Sequence, residues 1–152
     1  MEIQKLHLQE TKAPMDLLLL ADPSEEQVNS YLKKGQCYIA KISNRIIGVY
    51  VLVPINSRRI EIKNIAVAEN EQGKGNGKEL VKHAVANACL QGYKVVEIGT
   101  GNSSIGQLAL YQKCGFRITG VRKNFFKKNY EEEIVENGIT CIDMVRLEMV
   151  LE

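Results

Sequence analysis

The chain has 152 residues, of which 45% are hydrophobic and 25% are charged, as is ordinary for a globular protein. This length favours one domain over residues 1–152, with a sizeable hydrophobic core. The net charge of +2 is too small to indicate a nucleic-acid or membrane partner, and we expect neither.

Neither a targeting segment nor a metal site is indicated by the sequence. No apolar run is long enough to span a bilayer, and the N-terminus lacks the pattern of a signal peptide, so we expect a cytoplasmic protein. The cysteines form no CxxC pair, and the histidines do not lie at ligand spacing from them. We therefore expect no metal.

The first half of the chain predicts a strand, two helices and an antiparallel group of strands. Ser24 is a favourable N-cap for the second helix, and Ser43-Asn44 suits a tight hairpin turn. Strands are assigned where β-forming residues alternate or cluster. The predicted elements are a strand at 2–9, helices at 17–21 and 24–35, and strands at 36–42, 45–53 and 58–67.

The last of these strands changes its pattern halfway along. Ile60 and Ile62 occupy one parity, whereas Ile65 and Val67 occupy the other. A regular strand keeps one parity on each face, so the switch near 63–64 predicts a β-bulge, a feature that often lies beside active sites. If both faces of the strand are buried, parity carries little meaning, and this alternative stays open.

A glycine-rich turn follows this strand and precedes a helix. Residues 72–77 read Gln-Gly-Lys-Gly-Asn-Gly, with Lys78 next. Such a turn presents backbone N–H groups at the positive end of the helix dipole, which suits a phosphate or pyrophosphate. Lys74 and Lys78 add positive charge. The alternative is a flexible turn that glycine merely permits.

The second half of the chain alternates helices and strands. An apolar stripe at helical spacing predicts a helix over 78–90 that ends at Gly92. A strand at 95–98, a helix at 105–113 and strands at 116–126 and 139–151 complete the chain. Strand–helix–strand order implies a parallel pair, so we expect an α/β (α+β) fold with a mixed sheet.

Two ordered motifs resemble the GNAT superfamily of acetyl-coenzyme-A-dependent N-acetyltransferases. The family's Gln/Arg-x-x-Gly-x-Gly/Ala signature matches Gln72, Gly75 and Gly77, and its Leu-Tyr-x-x-x-Gly-Phe element begins at Leu110-Tyr111 and ends at Gly115-Phe116. The resemblance implies a mostly antiparallel sheet with a central parallel strand pair, flanked by helices. It also implies acetyl-CoA as co-substrate.

The resemblance further implies roles for individual residues. Amides of the glycine turn hold the coenzyme A pyrophosphate, a strand segment pairs with the pantetheine arm, and a backbone N–H near Val67 polarises the thioester. Family members often carry Asn seven residues before the tyrosine, where this chain has Ser104, so either Ser104 or Asn102 fills that role. The implied cofactor-binding residues are Ile65, Ala66, Val67, Gln72, Gly73, Lys74, Gly75, Asn76, Gly77, Lys78, Asn102 and Lys113.

Three residues are candidates for the chemistry of transfer. By resemblance, Tyr111 protonates the departing thiolate. Glu97 lies in a short, otherwise apolar strand, where a carboxylate is costly unless it reaches a cleft or a partner, which makes it a candidate general base. Glu61 is the alternative base. Either glutamate is otherwise a salt-bridged or solvated strand residue.

The sequence leaves the acceptor open. Glu136 and the preceding run 131–133 either attract a cationic amine or form a solvated loop, and the aromatic residues at 125–130 either line an acceptor pocket or pack the last strands. We expect direct acetyl transfer to a primary amine of a small molecule, protein or peptide. The alternative is a non-catalytic coenzyme A binding or sensing module. A homodimer is also expected from the resemblance.

Overall fold

The protein folds around a seven-stranded mixed sheet, beside a separate two-stranded hairpin. A computed structural model describes residues 1–151. The strands are β1 (Glu2–Leu6), β2 (Gln36–Ile42), β3 (Arg45–Pro54), β4 (Arg59–Val67), β5 (Val95–Gly101), β6 (Arg117–Arg122), β7 (Val135–Glu136), β8 (Ile139–Thr140) and β9 (Met144–Val150). The strand order in the main sheet is β1-β2-β3-β4-β5-β9-β6, and β7 and β8 form the hairpin. The predicted fold class is confirmed, because all pairings in the main sheet are antiparallel except β4 with β5.

Helices cover both faces of the sheet and create two apolar layers. The helices are α1 (Met15–Ala21), α2 (Glu25–Leu32), α3 (Asn76–Leu90), α4 (Ile105–Lys113) and α5 (Phe125–Asn129). Buried side chains of α1 and α2 pack on one face, and those of α3 and α4 pack on the other. Strands in the middle of the sheet alternate between the two layers, as a two-sided core requires.

The predicted bulge in β4 is confirmed at Lys63. Val51 of β3 pairs with Asn64, but the next residue, Leu52, pairs with Ile62, so one residue of β4 has no partner. Beyond the bulge, Ile65 packs in the same apolar layer as Ile60 and Ile62, which precede the bulge. The inserted residue therefore keeps the apolar side chains of β4 on one face despite their change of parity.

Asn64 anchors the bulge to the opposite layer. Its side chain is 3% exposed, and its Nδ2 donates to the carbonyl oxygen of Leu18 at 3.0 Å and to the Tyr31 hydroxyl at 2.8 Å. These bonds tie β4 to α1 and α2. The bulge is thus fixed in position rather than free to migrate along the strand.

A cleft opens where the two parallel strands separate. Pairing of β4 with β5 covers only residues 59–62 and 95–98. Past that point β4 continues beside β3, and β5 continues beside β9 as far as Gly101. The backbone of residues 64–67 consequently has no strand beside it on its β5 side, which leaves an edge that an extended ligand can occupy.

The end of the chain differs from the sequence prediction. The predicted strand at 116–126 stops at Arg122, because Asn124 adopts a left-handed φ of 62° and its N–H donates to Asp143 Oδ1 at 2.8 Å, after which α5 begins. The predicted strand at 139–151 is two strands. Asn102 separates them, since it binds the connecting segment at Thr140, Ile142 and Asp143.

Candidate active site

The glycine turn forms the N-terminus of α3. Gly73 and Gly75 have φ values of 76° and 86°, in the left-handed region that favours glycine. Gly75 is the residue before the 15-residue helix, and no side chain caps the N–H groups of the first turn. A Cβ atom at Gly73 or Gly75 would meet nothing within 4 Å, so the turn presents an open surface. These features suit the binding of an anion.

Three side chains of the turn brace it internally. Gln72 Nε2 donates to the carbonyl oxygen of Val67 at 2.9 Å, which joins the turn to the end of β4. Asn76 Nδ2 donates to the carbonyl oxygen of Glu71 at 3.0 Å, and Lys74 Nζ donates to the Glu71 carboxylate at 3.3 Å. Lys74 and Asn76 therefore shape the turn, and neither side chain lines the cavity beside it.

A cavity of about 570 Å³ extends from the turn along the open edge of β4. We call it the turn cavity. Most of the residues that the sequence predicts to bind the cofactor line it, together with Tyr111. They are Ile65, Ala66, Val67, Gln72, Gly73, Gly75, Gly77 and Lys78. Sequence reasoning missed the lining residues Leu20, Ala21, Val81, Gly106, Gln107 and Leu110, of which Leu20 and Ala21 come from a helix far away along the chain.

A second cavity of about 330 Å³ lies on the opposite side of the same cleft. We call it the acidic cavity, because its lining includes the carboxylates Asp22, Glu61 and Glu136 but a single cationic side chain, Lys63. Phe125, Phe126 and Tyr130 also line it. A cavity with this charge balance attracts a cation, and its aromatic wall favours a ligand with apolar parts.

The two cavities meet at Tyr111. Five residues line both of them: Leu20, Ala21, Ile65, Gln107 and Tyr111. Ligands in the turn cavity and in the acidic cavity would therefore approach each other beside these shared residues. This junction is the point at which a group can pass from one ligand to the other.

Tyr111 is held as a neutral phenol. Its side chain is 4% exposed, and burial raises its pKa well above the usual range, with a smaller contribution from the nearby Cys114 thiol. Within residues 1–151 no protein group hydrogen-bonds to its hydroxyl. The residue therefore carries a proton throughout the neutral pH range, and its hydroxyl can donate a hydrogen bond to a ligand in the cleft.

The two candidate bases occupy different settings. Both oxygens of Glu97 accept hydrogen bonds from guanidinium groups, from Arg59 at 3.0 Å and from Arg146 at 3.0 Å. Burial raises the pKa of Glu97, but the hydrogen bonds from Arg59 and Arg146 outweigh it and hold the pKa below its usual value. Glu97 does not line either cavity, whereas Glu61 lines the acidic cavity.

The two candidates for the family's asparagine also lie apart. The side-chain amide of Asn102 donates to the carbonyl oxygen of Thr140 and accepts from the N–H of Ile142, and Asn102 lines neither cavity. Ser104 lines the acidic cavity, where its hydroxyl donates to Glu136 Oε1 at 2.9 Å. Lys113 is an exposed residue in the last turn of α4 and lines neither cavity.

Helix α5 encloses the acidic cavity through contacts that the sequence does not reveal. The Tyr130 hydroxyl donates to Asp22 Oδ1 at 2.7 Å, and Gln27 Nε2 donates to the carbonyl oxygen of Asn129 at 3.0 Å. These bonds connect the end of α5 to Asp22, which follows α1, and to Gln27 in α2, across more than 100 residues of sequence. We call residues 124–130 the strap.

Within residues 1–151 no group of three or more His, Cys, Asp or Glu side chains is arranged to hold a metal ion. In the same range, each helix is too short or too polar to cross a membrane.

Comparison with known proteins gives consistent matches. Residues 7–116 match the Acetyltransferase (GNAT) family. The Uncharacterized N-acetyltransferase YvbK of Bacillus subtilis (strain 168) is 52% identical over 97% of each chain. A GNAT family acetyltransferase from Elizabethkingia anophelis, solved with acetyl-CoA bound, is 56% identical, with a TM-score of 0.96 over 99% of this chain and 97% of that chain. A Bacillus subtilis acetyltransferase in complex with CoA is 49% identical, with a TM-score of 0.93 over 99% and 98% of the two chains.

The splayed mixed sheet and the joined cavities thus define an acetyltransferase of the GNAT class. The chain belongs to the GNAT acetyltransferase family and is an N-acetyltransferase. The resemblance inferred from the two sequence motifs is confirmed.

Proposed function

We propose that the chain transfers an acetyl group from acetyl-CoA directly to a primary amine. The observation that carries this proposal is the junction of the two cavities at Tyr111, because a donor on one side and an acceptor on the other would meet there. A protein that only bound or sensed coenzyme A would need the turn cavity alone. The second, acidic cavity therefore favours catalysis.

The turn cavity suits the coenzyme. Its open glycine turn supplies uncapped N–H groups for the pyrophosphate, with Lys78 adding charge nearby. The unpaired edge of β4 at residues 65–67 supports strand-like pairing with the pantetheine arm. A backbone N–H near Val67 would polarise the thioester carbonyl, as the family resemblance implies.

The chemistry requires a base and an acid on opposite sides of the junction. We assign the base to Glu61, which lines the acidic cavity, rather than to Glu97, whose oxygens are both occupied by arginines. Glu61 takes one proton from the ammonium group, and the neutral nitrogen then attacks the thioester carbonyl. When the tetrahedral intermediate collapses, the carbon–sulfur bond breaks and Tyr111 protonates the leaving thiolate, while the second proton lost by the nitrogen returns to the Tyr111 phenolate.

The acidic cavity supports an amine that enters as a cation. Three carboxylates against one lysine concentrate cationic ligands there, and a cavity of about 330 Å³ suits a small molecule or the end of a peptide. The acceptor is thus proposed by class: a primary amine on a small molecule or on a protein terminus or side chain.

Two measurements test the proposal. Isothermal titration should show binding of acetyl-CoA and none of comparable affinity for NAD or ATP. A thiol-release screen over polyamines, aminoglycosides, amino acid amides and N-terminal peptides should then identify an amine that depends on the enzyme for acetylation. Failure to bind acetyl-CoA would refute the proposal, and binding without release of thiol for any amine would favour the non-catalytic alternative.

A single domain, a cytoplasmic location and a homodimer complete the proposal. The main sheet draws strands from both ends of the chain, which supports one domain. Light scattering coupled to size-exclusion chromatography measures the oligomeric state directly. A monomer at micromolar concentration would contradict the proposal of a homodimer.

A further inference from the structure

A chain of alternating charges crosses one face of the sheet beneath the acidic cavity. Arg146 Nη1 donates to Glu61 Oε2 at 3.1 Å, and its Nη2 donates to Glu97 Oε1 at 3.0 Å. Arg59 continues the chain, since its Nη1 lies 3.0 Å from Glu97 Oε2 and 3.1 Å from Glu148 Oε2. We call these five residues the charge chain. They come from β4, β5 and β9, so the sheet itself holds them in register.

Arg146 is the buried member that connects the charge chain to the active site. The residue is 8% exposed, and its guanidinium bridges two carboxylates on different strands. Glu61 is the one residue of the charge chain that lines the acidic cavity. Its Oε2 is held by Arg146, while the group nearest its Oε1 in an ion pair is Lys63 Nζ, at 3.9 Å. One oxygen is thus fixed and the other is left for a ligand.

Gly99 provides the path for this contact. Arg146 lies on β9 and pairs with Gly99 of β5, and it must reach across β5 to contact β4. A Cβ atom at Gly99 would lie 2.5 Å from Arg146 Nη1 and 2.7 Å from Met144 Sδ. Any side chain at position 99 would therefore require the Arg146 guanidinium and the Met144 side chain to shift.

We propose that Arg146 is a positioning residue that reaches over Gly99 to aim Glu61 at the amine of the acceptor. It fixes one carboxylate oxygen and leaves the second oxygen to take the proton. A guanidinium is needed because its planar fork donates to two carboxylates at once, which an ammonium group does with less fixed geometry. This inference rests on the proposed function, in which Glu61 is the base.

Two variants disturb the contact by different routes, and a third serves as a control. Arg146→Lys keeps the charge but loses the fork, whereas Gly99→Ala keeps Arg146 and displaces its guanidinium. Arg59→Lys changes an arginine of the same charge chain that contacts Glu97 and Glu148 but not Glu61. Each variant is assayed for kcat and KM with the best amine from the thiol-release screen, for acetyl-CoA affinity by calorimetry, and for the position of Glu61 by crystallography.

The expected result is a split between turnover and binding. Arg146→Lys and Gly99→Ala should each lower kcat by about 10-fold or more, as displacement of a catalytic group does, with acetyl-CoA affinity within about 2-fold of wild type. Arg59→Lys should leave kcat within about 3-fold of wild type. Crystals of the first two variants should show the Glu61 carboxylate displaced from its wild-type position.

Wild-type turnover in Arg146→Lys, or an equal loss in Arg59→Lys, would overturn the positioning role. If the wild-type enzyme acetylates no amine in the screen, the proposed function fails separately and crystallography decides the positioning role. In that case a Glu61 carboxylate that stays in place without the guanidinium would overturn it.

Discussion

Tyr111 combines two properties that rarely occur together in one side chain. It is almost fully buried, yet it lies where the two cavities join. Burial raises its pKa, so the phenol does not ionise in the neutral range, and a buried hydroxyl without a protein partner gains most from a ligand that accepts its proton. In the proposed reaction the coenzyme thiolate, formed when the thioester bond breaks, is such an acceptor.

Replacement of Tyr111 by Phe should separate chemistry from binding. We expect kcat to fall by about 100-fold, the lower range for loss of a general acid, while acetyl-CoA affinity changes by less than about 2-fold. The ratio of the wild-type kcat to the Tyr111→Phe kcat should stay constant from pH 6 to about pH 9, because the raised pKa keeps Tyr111 protonated across that range. Steady-state kinetics with the best amine of the screen provides the measurement.

Tyr93→Phe is the matched control, since Tyr93 packs against the same apolar layer but lines neither cavity. Turnover of Tyr111→Phe equal to that of the control would mean that another group, or water, protonates the thiolate.

The strap is the element that gives the acidic cavity its outer wall. Its end is held by Tyr130 and Gln27, and its start is held by hydrogen bonds from Asn124 and Phe126 to the segment that precedes β9. Tyr130→Phe removes the 2.7 Å hydrogen bond to Asp22, and we expect a loss of about 1–2 kcal/mol in the free energy of unfolding. We also expect KM for the amine to rise several-fold, with acetyl-CoA affinity unchanged. An unchanged KM would show that the strap does not contact the acceptor.

Strands β4, β5 and β9 carry the charge chain. Because of its central carboxylate, Glu97, we expect the stability of the fold to depend on pH in the acid range. Burial of Glu97 raises its pKa. Hydrogen bonds from Arg59 and Arg146 lower the pKa by a larger amount, so the folded pKa is below the ordinary value of 4.5. The folded state therefore binds fewer protons than the unfolded state near that pH. The stabilisation is complete above the unfolded pKa and is lost as the pH falls through the folded pKa.

Glu97→Gln should accordingly flatten the acid side of the stability profile. At pH 7 we expect the variant to lose about 1–3 kcal/mol of unfolding free energy, because two guanidinium groups lose a charged partner. Between about pH 5 and pH 3 its melting temperature should fall less steeply than that of the wild type. Thermal unfolding followed by circular dichroism measures both, with the exposed Glu10→Gln as control. Parallel acid slopes for wild type and Glu97→Gln would contradict the assignment.

At the scale of the whole molecule, the sequence predicts those structural features that are specified by residues close together in the chain. The bulge at Lys63 is visible as a change of parity, and the glycine turn is visible because left-handed residues require glycine at Gly73 and Gly75. Both signals arise within a few residues of the feature they specify. The same holds for the order of strands and helices, which was enough to indicate the fold.

The rest depends on partners that are distant in sequence. Glu61 and Glu97 occupy paired positions on adjacent strands, and both accept a hydrogen bond from Arg146, which lies 85 and 49 residues away from them. Asn102 sits near the position of the family's asparagine, but its amide is used by a segment about 40 residues later. Single-residue patterns contain no record of such pairings, so the charge chain and the strap emerge only in the folded protein.

Ligand binding couples the glycine turn to the stability of the entire domain. A ligand at 100 times its Kd stabilises a folded protein by about 2.7 kcal/mol. For a domain of this size each kcal/mol raises Tm by about 2–4 °C, so saturating acetyl-CoA should raise Tm by about 5–10 °C. Gly75→Glu should abolish this shift, because it places a carboxylate in the open space where the pyrophosphate is proposed to bind.

Gly92→Glu separates that effect from backbone strain. Gly92 lies at the other end of α3 with a φ of 91°, against 86° for Gly75, and a Cβ atom there also meets nothing within 4 Å. Both variants should therefore lower the Tm of the ligand-free protein, since a non-glycine residue is strained in the left-handed region, and Gly92→Glu should lower it more because its carboxylate lies at the negative end of the helix dipole. Only Gly75→Glu should lose the response to acetyl-CoA in differential scanning fluorimetry. A full response to acetyl-CoA in Gly75→Glu would show that the glycine turn is not the anion site, because a carboxylate at that position would repel a bound pyrophosphate.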